Sequence, residues 1–244
     1  MATPLLVYWY QSSRTGLTSI SSEPAIWPIP EDETAARKAK LINLLLPAIQ
    51  HNNRELLAKR QRLEKLHQNI AAGRMPEGRE LNWLIELSER YRLEVPSPLN
   101  PEWSRILLRR IDMVPADLAL AQGALESAWG TSRFALDGNN YFGQWCFVKG
   151  CGLVPQQRRE GANHEVARFS SSAESVRRYM HNLNSHPRYT ELRLIREQAR
   201  QQSRQSSGSE LAAGLEGYSE LGETYIEMVR SLIRFNDLER FEHF

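Results

Sequence analysis

The chain has 244 residues, enough for one or two buried cores, and its 41% hydrophobic and 25% charged content is that of an ordinary soluble globular protein. A net charge of +2, with 13 basic and 11 acidic side chains before residue 99 and 18 of each after it, provides no polycationic half for nucleic acid and no acidic tail. Residues 1–33 are rich in Ser, Thr and Pro and read as an extended N-terminal arm. Tyr8, Trp9, Tyr10, Ile26 and Trp27 are nevertheless too apolar for a purely solvated linker. The apolar run 4–10 is too short to cross a bilayer and lacks a basic flank, so it is not an intact signal peptide.

Residues 34–98 read as helical. Glu31, Asp32 and Glu33 give the first helix an acidic start, as the helix dipole favours. Its apolar pattern continues through Leu41, Leu44, Leu45 and Ile49, and Pro47 is expected to kink or break it. A second run carries Leu56, Leu63, Leu66 and Ile70 and ends near Gly73; a third covers 80–91, before Pro96 and Pro98. These apolar faces need a partner, so the region is expected to pack on residues 99–244 rather than stand alone.

From residue 99 the pattern stays mostly helical apart from a β and loop stretch at about 141–170, where 166–169 reads as one strand of a short hairpin sheet. Ser171 with Glu174 is a capping-box signal for a helix through Val176, Tyr179, Met180 and Leu183, which ends at His186-Pro187. Another helix carries Leu192, Ile195 and Ala199. After a flexible 201–209 stretch, a short helix over 210–216 stops at Gly217, and a last one presents Ile226, Val229, Leu232 and Ile233 on one face. Many helices and one small sheet define an α+β, mainly α fold.

The chemistry centres on Glu126. Residues 113–125 read as a helix with Pro115 and Asp117 in its first turn and Gly130 as its stop. Glu126 thus falls in the last turn, where the carbonyl dipoles disfavour its ionised form. Its stripe carries the small residues Gly123 and Ala119, with Gln122 one turn away. A carboxyl of raised pKa on an approachable face suits a general acid, although an exposed helix-end glutamate has the same local signature.

Residues 124–132 read A-L-E-S-A-W-G-T-S and 139–143 read N-N-Y-F-G. Downstream come Phe169, Ser175 and Tyr179, then Leu183, Pro187 and Tyr189, then G-Y-S at 217–219 and Tyr225. These ordered blocks, across about residues 99–240, resemble the glucosaminidase branch of the lysozyme-like peptidoglycan hydrolases. The Cys-x4-Cys insert and the N-terminal helices resemble most the bacterial Bax-type periplasmic proteins, which are unrelated to the apoptotic regulator. The resemblance implies a lysozyme-like domain over 99–244 with a cleft between helical and β lobes. It also implies cleavage of the β-1,4 bonds of N-acetylglucosamine in the cell-wall glycan, with Glu126 as general acid.

By the same resemblance Tyr218 lies near the scissile bond and Tyr225 occupies the later motif position, although 219–224 departs from the family's commoner A-T-D-P form. Gln122, Trp129, Asn140, Phe142 and Gly143 are expected to line or order the cleft. Glu160 and Glu165 are candidates for a second carboxylate, and the substrate's own N-acetyl group is the alternative nucleophile. Cys146 and Cys151 suit either a small disulfide-closed loop or two free thiols, and the export implied by the resemblance favours the disulfide. His164 is the one nearby further ligand, short of a four-ligand zinc set, so no metal and no cofactor is expected. The expected partner is the glycan strand of peptidoglycan, with no nucleic acid and no integral membrane segment in this chain, in the periplasm or cell envelope after removal of a signal. A muramidase or lytic transglycosylase of the same fold, or a glycan-binding envelope scaffold with little activity, are the alternatives.

Overall fold

A computed structural model describes residues 30–155 and 164–242. Helix α1 (Glu33–Ala71) starts where the Asp32 side chain accepts the N–H of Ala35, satisfying one of the donors that every helix start leaves open. It runs unbroken through Pro47, so the two helices expected on either side of that proline are one. Pro47 removes one helical hydrogen bond, a cost of about 3 kcal/mol. Leu45, Leu46 and Ile49 beside it are fully buried, each stabilising the helix by about 1.5–3 kcal/mol, and together they prevail. Helices α2 (Gly78–Arg90) and α3 (Pro101–Arg110) follow, the second capped by Asn100.

Helix α4 (Ala116–Ser127) lies at the centre, buried on nearly every face. Its residues are mostly small, so α1 and the C-terminal helix α9 (Glu223–Phe235) pack closely against it. A methyl group on Gly123 would come within 2.8 Å of the Leu45 Cδ1 of α1, so a larger residue there would require that side chain to shift. Between them lie α5 (Arg133–Gly138), α6 (Ser172–Ser185, capped by Ser171), α7 (Thr190–Gln201) and α8 (Gly208–Leu211), the last running into a 3-10 turn Ala212–Leu215. One connected core runs from Leu41 to Phe241. It is tied again by buried Asp112, which accepts from Arg200 of α7 at 2.7 and 3.0 Å and pairs with Arg60 of α1 at 3.2 Å.

The sheet has three short antiparallel strands, β1 (Trp145–Cys146), β2 (Gly152–Leu153) and β3 (Glu165–Ala167), in the order β1-β3-β2. Trp145 pairs with Val166 and Gly152 with Ala167. The strand therefore starts and ends earlier than 166–169: the Arg168 N–H donates to the Cys151 carbonyl and the Phe169 N–H turns to the Gly138 carbonyl at the end of α5. The fold is α+β and mainly α. Among the described residues no helix is long and apolar enough to cross a membrane.

Candidate active site

Glu126 occupies the last turn of α4, as its sequence position required. The helix stops sooner than Gly130, however. Ala128, Trp129 and Gly130 have φ of 50°, 58° and 80°, three consecutive left-handed residues of which two carry side chains. Such conformations cost roughly 1–2 kcal/mol per non-glycine residue and concentrate at functional sites. Ser127 secures the turn: its hydroxyl donates to the Gly123 carbonyl at 2.5 Å and accepts the Gly130 N–H at 2.8 Å. From α1, Lys38 sits 5.2 Å from the Trp129 ring centre and Leu41 lies beneath Gly130.

Burial pushes the Glu126 carboxyl up to about 7, and one hydrogen bond works against that shift: Tyr225 of α9 donates its O–H to Oε1 at 2.8 Å. The helix-end position predicted the direction, while burial is its main cause. Behind Tyr225 the contacts continue inward. Gln122 Nε2 donates to the Tyr225 oxygen at 3.0 Å, and Tyr179 of α6 donates to Gln122 Oε1 at 2.6 Å. Gln122 is fully buried, so it contacts Tyr225 and Tyr179 and not solvent.

The other carboxyl oxygen faces the N-N-Y-F-G turn. A Cβ on Gly143 would stand 2.9 Å from Glu126 Oε2, and Gly143 has φ of 61°, so both space and backbone call for glycine. Asn140 builds this turn. Its amide donates to the carbonyls of Gln144 and Ala167, both at 2.8 Å, while its oxygen accepts from the backbone of Phe142 and Gln144. The Phe142 ring is buried, stacked on Tyr179 with centres 4.0 Å apart. Both residues support the turn from below instead of offering a surface to sugar.

Tyr218 donates its O–H to the Phe142 carbonyl at 2.8 Å, and its ring lies between those of Tyr225 and Tyr189, 5.3 and 5.9 Å away. Burial raises the phenols of Tyr179, Tyr218 and Tyr225 well above their ordinary value, so all three are neutral donors. Trp129 is partly buried beside the strained turn. Thus Glu126, Gln122, Phe142, Gly143, Tyr218 and Tyr225 come together around one carboxyl. Sequence reading gave Tyr179 and Tyr189 no role here. Both belong to quoted motif blocks, but helical spacing placed Tyr179 with the core.

Glu165 accepts hydrogen bonds from a different loop. It is buried, and its two oxygens accept the N–H groups of Gly150 at 2.9 Å and Gly152 at 2.8 Å. Those amides belong to the loop closed by the Cys146–Cys151 disulfide, so the carboxylate shapes that loop. The two sulfurs are bonded to each other, which leaves no thiolate for a metal beside Glu165. Glu160, the other candidate second carboxylate, lies outside the described residues.

Among the described residues, then, the Glu126 carboxyl is pushed up by burial, accepts from Tyr225 at Oε1 and lies beside Gly143 at Oε2. Residues 105–238 match the glucosaminidase family, described as mannosyl-glycoprotein endo-beta-N-acetylglucosaminidase, and the chain belongs to that family. The chain is also similar to Protein bax of Escherichia coli (strain K12), 34% identical over 163 residues, which cover 60% of this chain and 58% of that protein. No solved structure matches the chain.

Proposed function

We propose that this protein is a peptidoglycan hydrolase of the cell envelope that cleaves β-1,4 bonds of N-acetylglucosamine, with Glu126 as general acid. The observation that carries the reading is the Glu126 carboxyl, which burial pushes up to about 7 and which, among the described residues, is hydrogen-bonded at Oε1 by Tyr225. Such a group is protonated often enough at neutral pH to act as an acid and ionised often enough to act next as a base. In the first step the Oε2–H bond breaks, the glycosidic oxygen takes the proton, and the C1–O bond to the leaving sugar breaks. The substrate's N-acetyl oxygen attacks C1, a route supported by the engagement of Glu165, the candidate second carboxylate among the described residues, in the disulfide loop. Water then adds at C1, Glu126 removes its proton, and the N-acetyl group re-forms. Tyr218 keeps phenol lone pairs free while donating to Phe142, so it accepts from the substrate's amide N–H.

One observation also favours a lytic transglycosylase. That reaction needs a single acid–base and no second carboxylate, and among the described residues Glu165 is engaged by the disulfide loop. Product masses separate the readings. Purified sacculi are digested with the protein and with Glu126→Gln, reduced with borohydride and analysed by mass spectrometry. New N-acetylglucosaminitol ends, absent with Glu126→Gln, are expected. Anhydro-muramyl ends would transfer the assignment to the transglycosylase and reduced muramic ends to a muramidase. Sacculi that are bound without new ends would leave a glycan-binding scaffold.

A further inference from the structure

We infer that Gln122 is a positioning residue that fixes the direction of the hydrogen bonds behind the acid, and so assigns the transferable proton of Glu126 to Oε2, on the Gly143 side. The inference deepens the reading of Glu126 as general acid and rests on it. It begins with a polar side chain that has no exposed surface, one turn before Glu126, in a stretch of α4 from Ala119 to Leu125 whose other residues are small or apolar. A buried carboxamide is retained only where its polar atoms are satisfied. Gln122 meets that demand with phenols from two other helices, Tyr179 of α6 and Tyr225 of α9.

The direction follows from what each group can donate. Tyr179 gives its single proton to Gln122 Oε1 at 2.6 Å, which leaves the Gln122 amide to donate on its other side. That amide meets the oxygen of Tyr225 at 3.0 Å. With its oxygen occupied by an incoming N–H, Tyr225 turns its own proton outward, to Glu126 Oε1 at 2.8 Å. An oxygen that already accepts a phenol proton is the poorer site for the acid's own proton. The acid's proton therefore sits on Oε2, the oxygen beside Gly143, where an added Cβ would stand only 2.9 Å away. Were the Gln122 amide reversed, it would accept from Tyr225. Tyr225 would then present its lone pairs to Glu126, and the carboxyl would hold its proton on Oε1, facing the protein. The same four residues would make an acid that points its proton the wrong way.

Gln122→Glu imposes that reversed pattern, because a carboxylate accepts from both tyrosines and donates to neither. Tyr225→Phe deletes the donor at Oε1. Both changes withdraw the hydrogen bond that favours the ionised acid. Both should therefore raise the midpoint at which Glu126 titrates, by about one pH unit or more. The midpoint is read without reference to hydrolysis, from the carboxyl infrared band of each protein after subtraction of the spectrum of its Glu126→Gln counterpart. The alkaline limb of kcat/KM on sacculi should move with it, and kcat should fall at least about tenfold while KM changes less. Tyr179→Phe, which removes one hydroxyl and spares the fold, should move the midpoint in the same direction by less. A Glu126 midpoint unchanged within a few tenths of a pH unit in folded Tyr179→Phe and Tyr225→Phe would overturn the assignment. A shifted midpoint in a protein whose parent opens no glycosidic bond would uphold the assignment and count instead against the glycosidase reading.

Discussion

Glu126→Gln should make the protein more stable in alkali while removing its chemistry. Burial holds the carboxyl at about 7 against an ordinary 4.5, a difference worth about 3 kcal/mol in favour of the protonated form. A raised folded pKa means that the folded chain binds more protons than the unfolded one between those values. Stability is therefore full below about 4.5, declines as pH rises, and has lost this contribution once pH passes about 7. Glutamine keeps the shape and never ionises, so it escapes the loss. Urea unfolding followed by circular dichroism should give nearly equal stabilities for the two proteins at pH 4.5. At pH 8.5 the variant should be ahead by about 3 kcal/mol, or 1–2 M in midpoint for an m-value of about 2 kcal/mol/M. Asp117, which burial and its neighbour Glu242 push up to about 8, titrates over the same window in both proteins and cancels in the difference. Release of fragments from sacculi should drop by roughly 10²–10⁴. A stability difference that is the same at both pH values would refute the claim that Glu126 folds at the expense of its charge.

Gly143→Ala should lower the rate on sacculi by more than about tenfold, because its methyl stands against Oε2 in a backbone with φ of 61°; stability should fall by only about 1–2 kcal/mol. Retained activity would mean that the acid is approached from another side. Tyr218→Phe frees the Phe142 carbonyl and should cost about 1 kcal/mol in thermal unfolding and at least about tenfold in kcat, with KM little changed. A loss of stability without loss of rate would make Tyr218 scaffold alone. A fragment beginning at residue 99 should fail to give a cooperative thermal transition, since it loses α1 and with it the partners of Gly123, Gly130 and Asp112. A folded, active fragment would show that α1 is dispensable.

Much of this site was legible in the sequence because its parts are local. A helix end follows from spacing and residue type, so Glu126 stood out, while Asn140 and Gly143 were marked by the resemblance of 139–143 to the family's N-N-x-F-G motif. What stayed hidden depends on distance in the chain. Gln122 and Tyr179 are 57 residues apart, and Gln122 and Tyr225 are 103 apart. Nothing in the α4 stripe says whether such a glutamine meets substrate or a buried phenol. The partners of Glu165 were hidden too, since a carboxylate in a strand says nothing of the amides of Gly150 and Gly152, 15 and 13 residues away, that it accepts from. Pro47 was read by its local penalty, and burial on both sides of it outweighed that penalty.

The residues that match the glucosaminidase family begin at 105, yet the site draws on helix α1, which ends at Ala71. The acid leaves α4 through two left-handed non-glycine residues, Ala128 and Trp129, whose combined cost is about 2–4 kcal/mol. Part of the opposing force is local, from the two Ser127 hydrogen bonds. The rest comes from α1: Lys38 lies over Trp129 while held by Asn236 at 2.8 Å, and Leu41 lies under Gly130. One turn further along, Leu45 fills the hollow at Gly123, on the stripe that leads to Glu126. The N-terminal helix thus sets where α4 ends and how its last carboxyl is presented, and a change at Lys38 or Leu41 acts on the acid through the backbone of that turn.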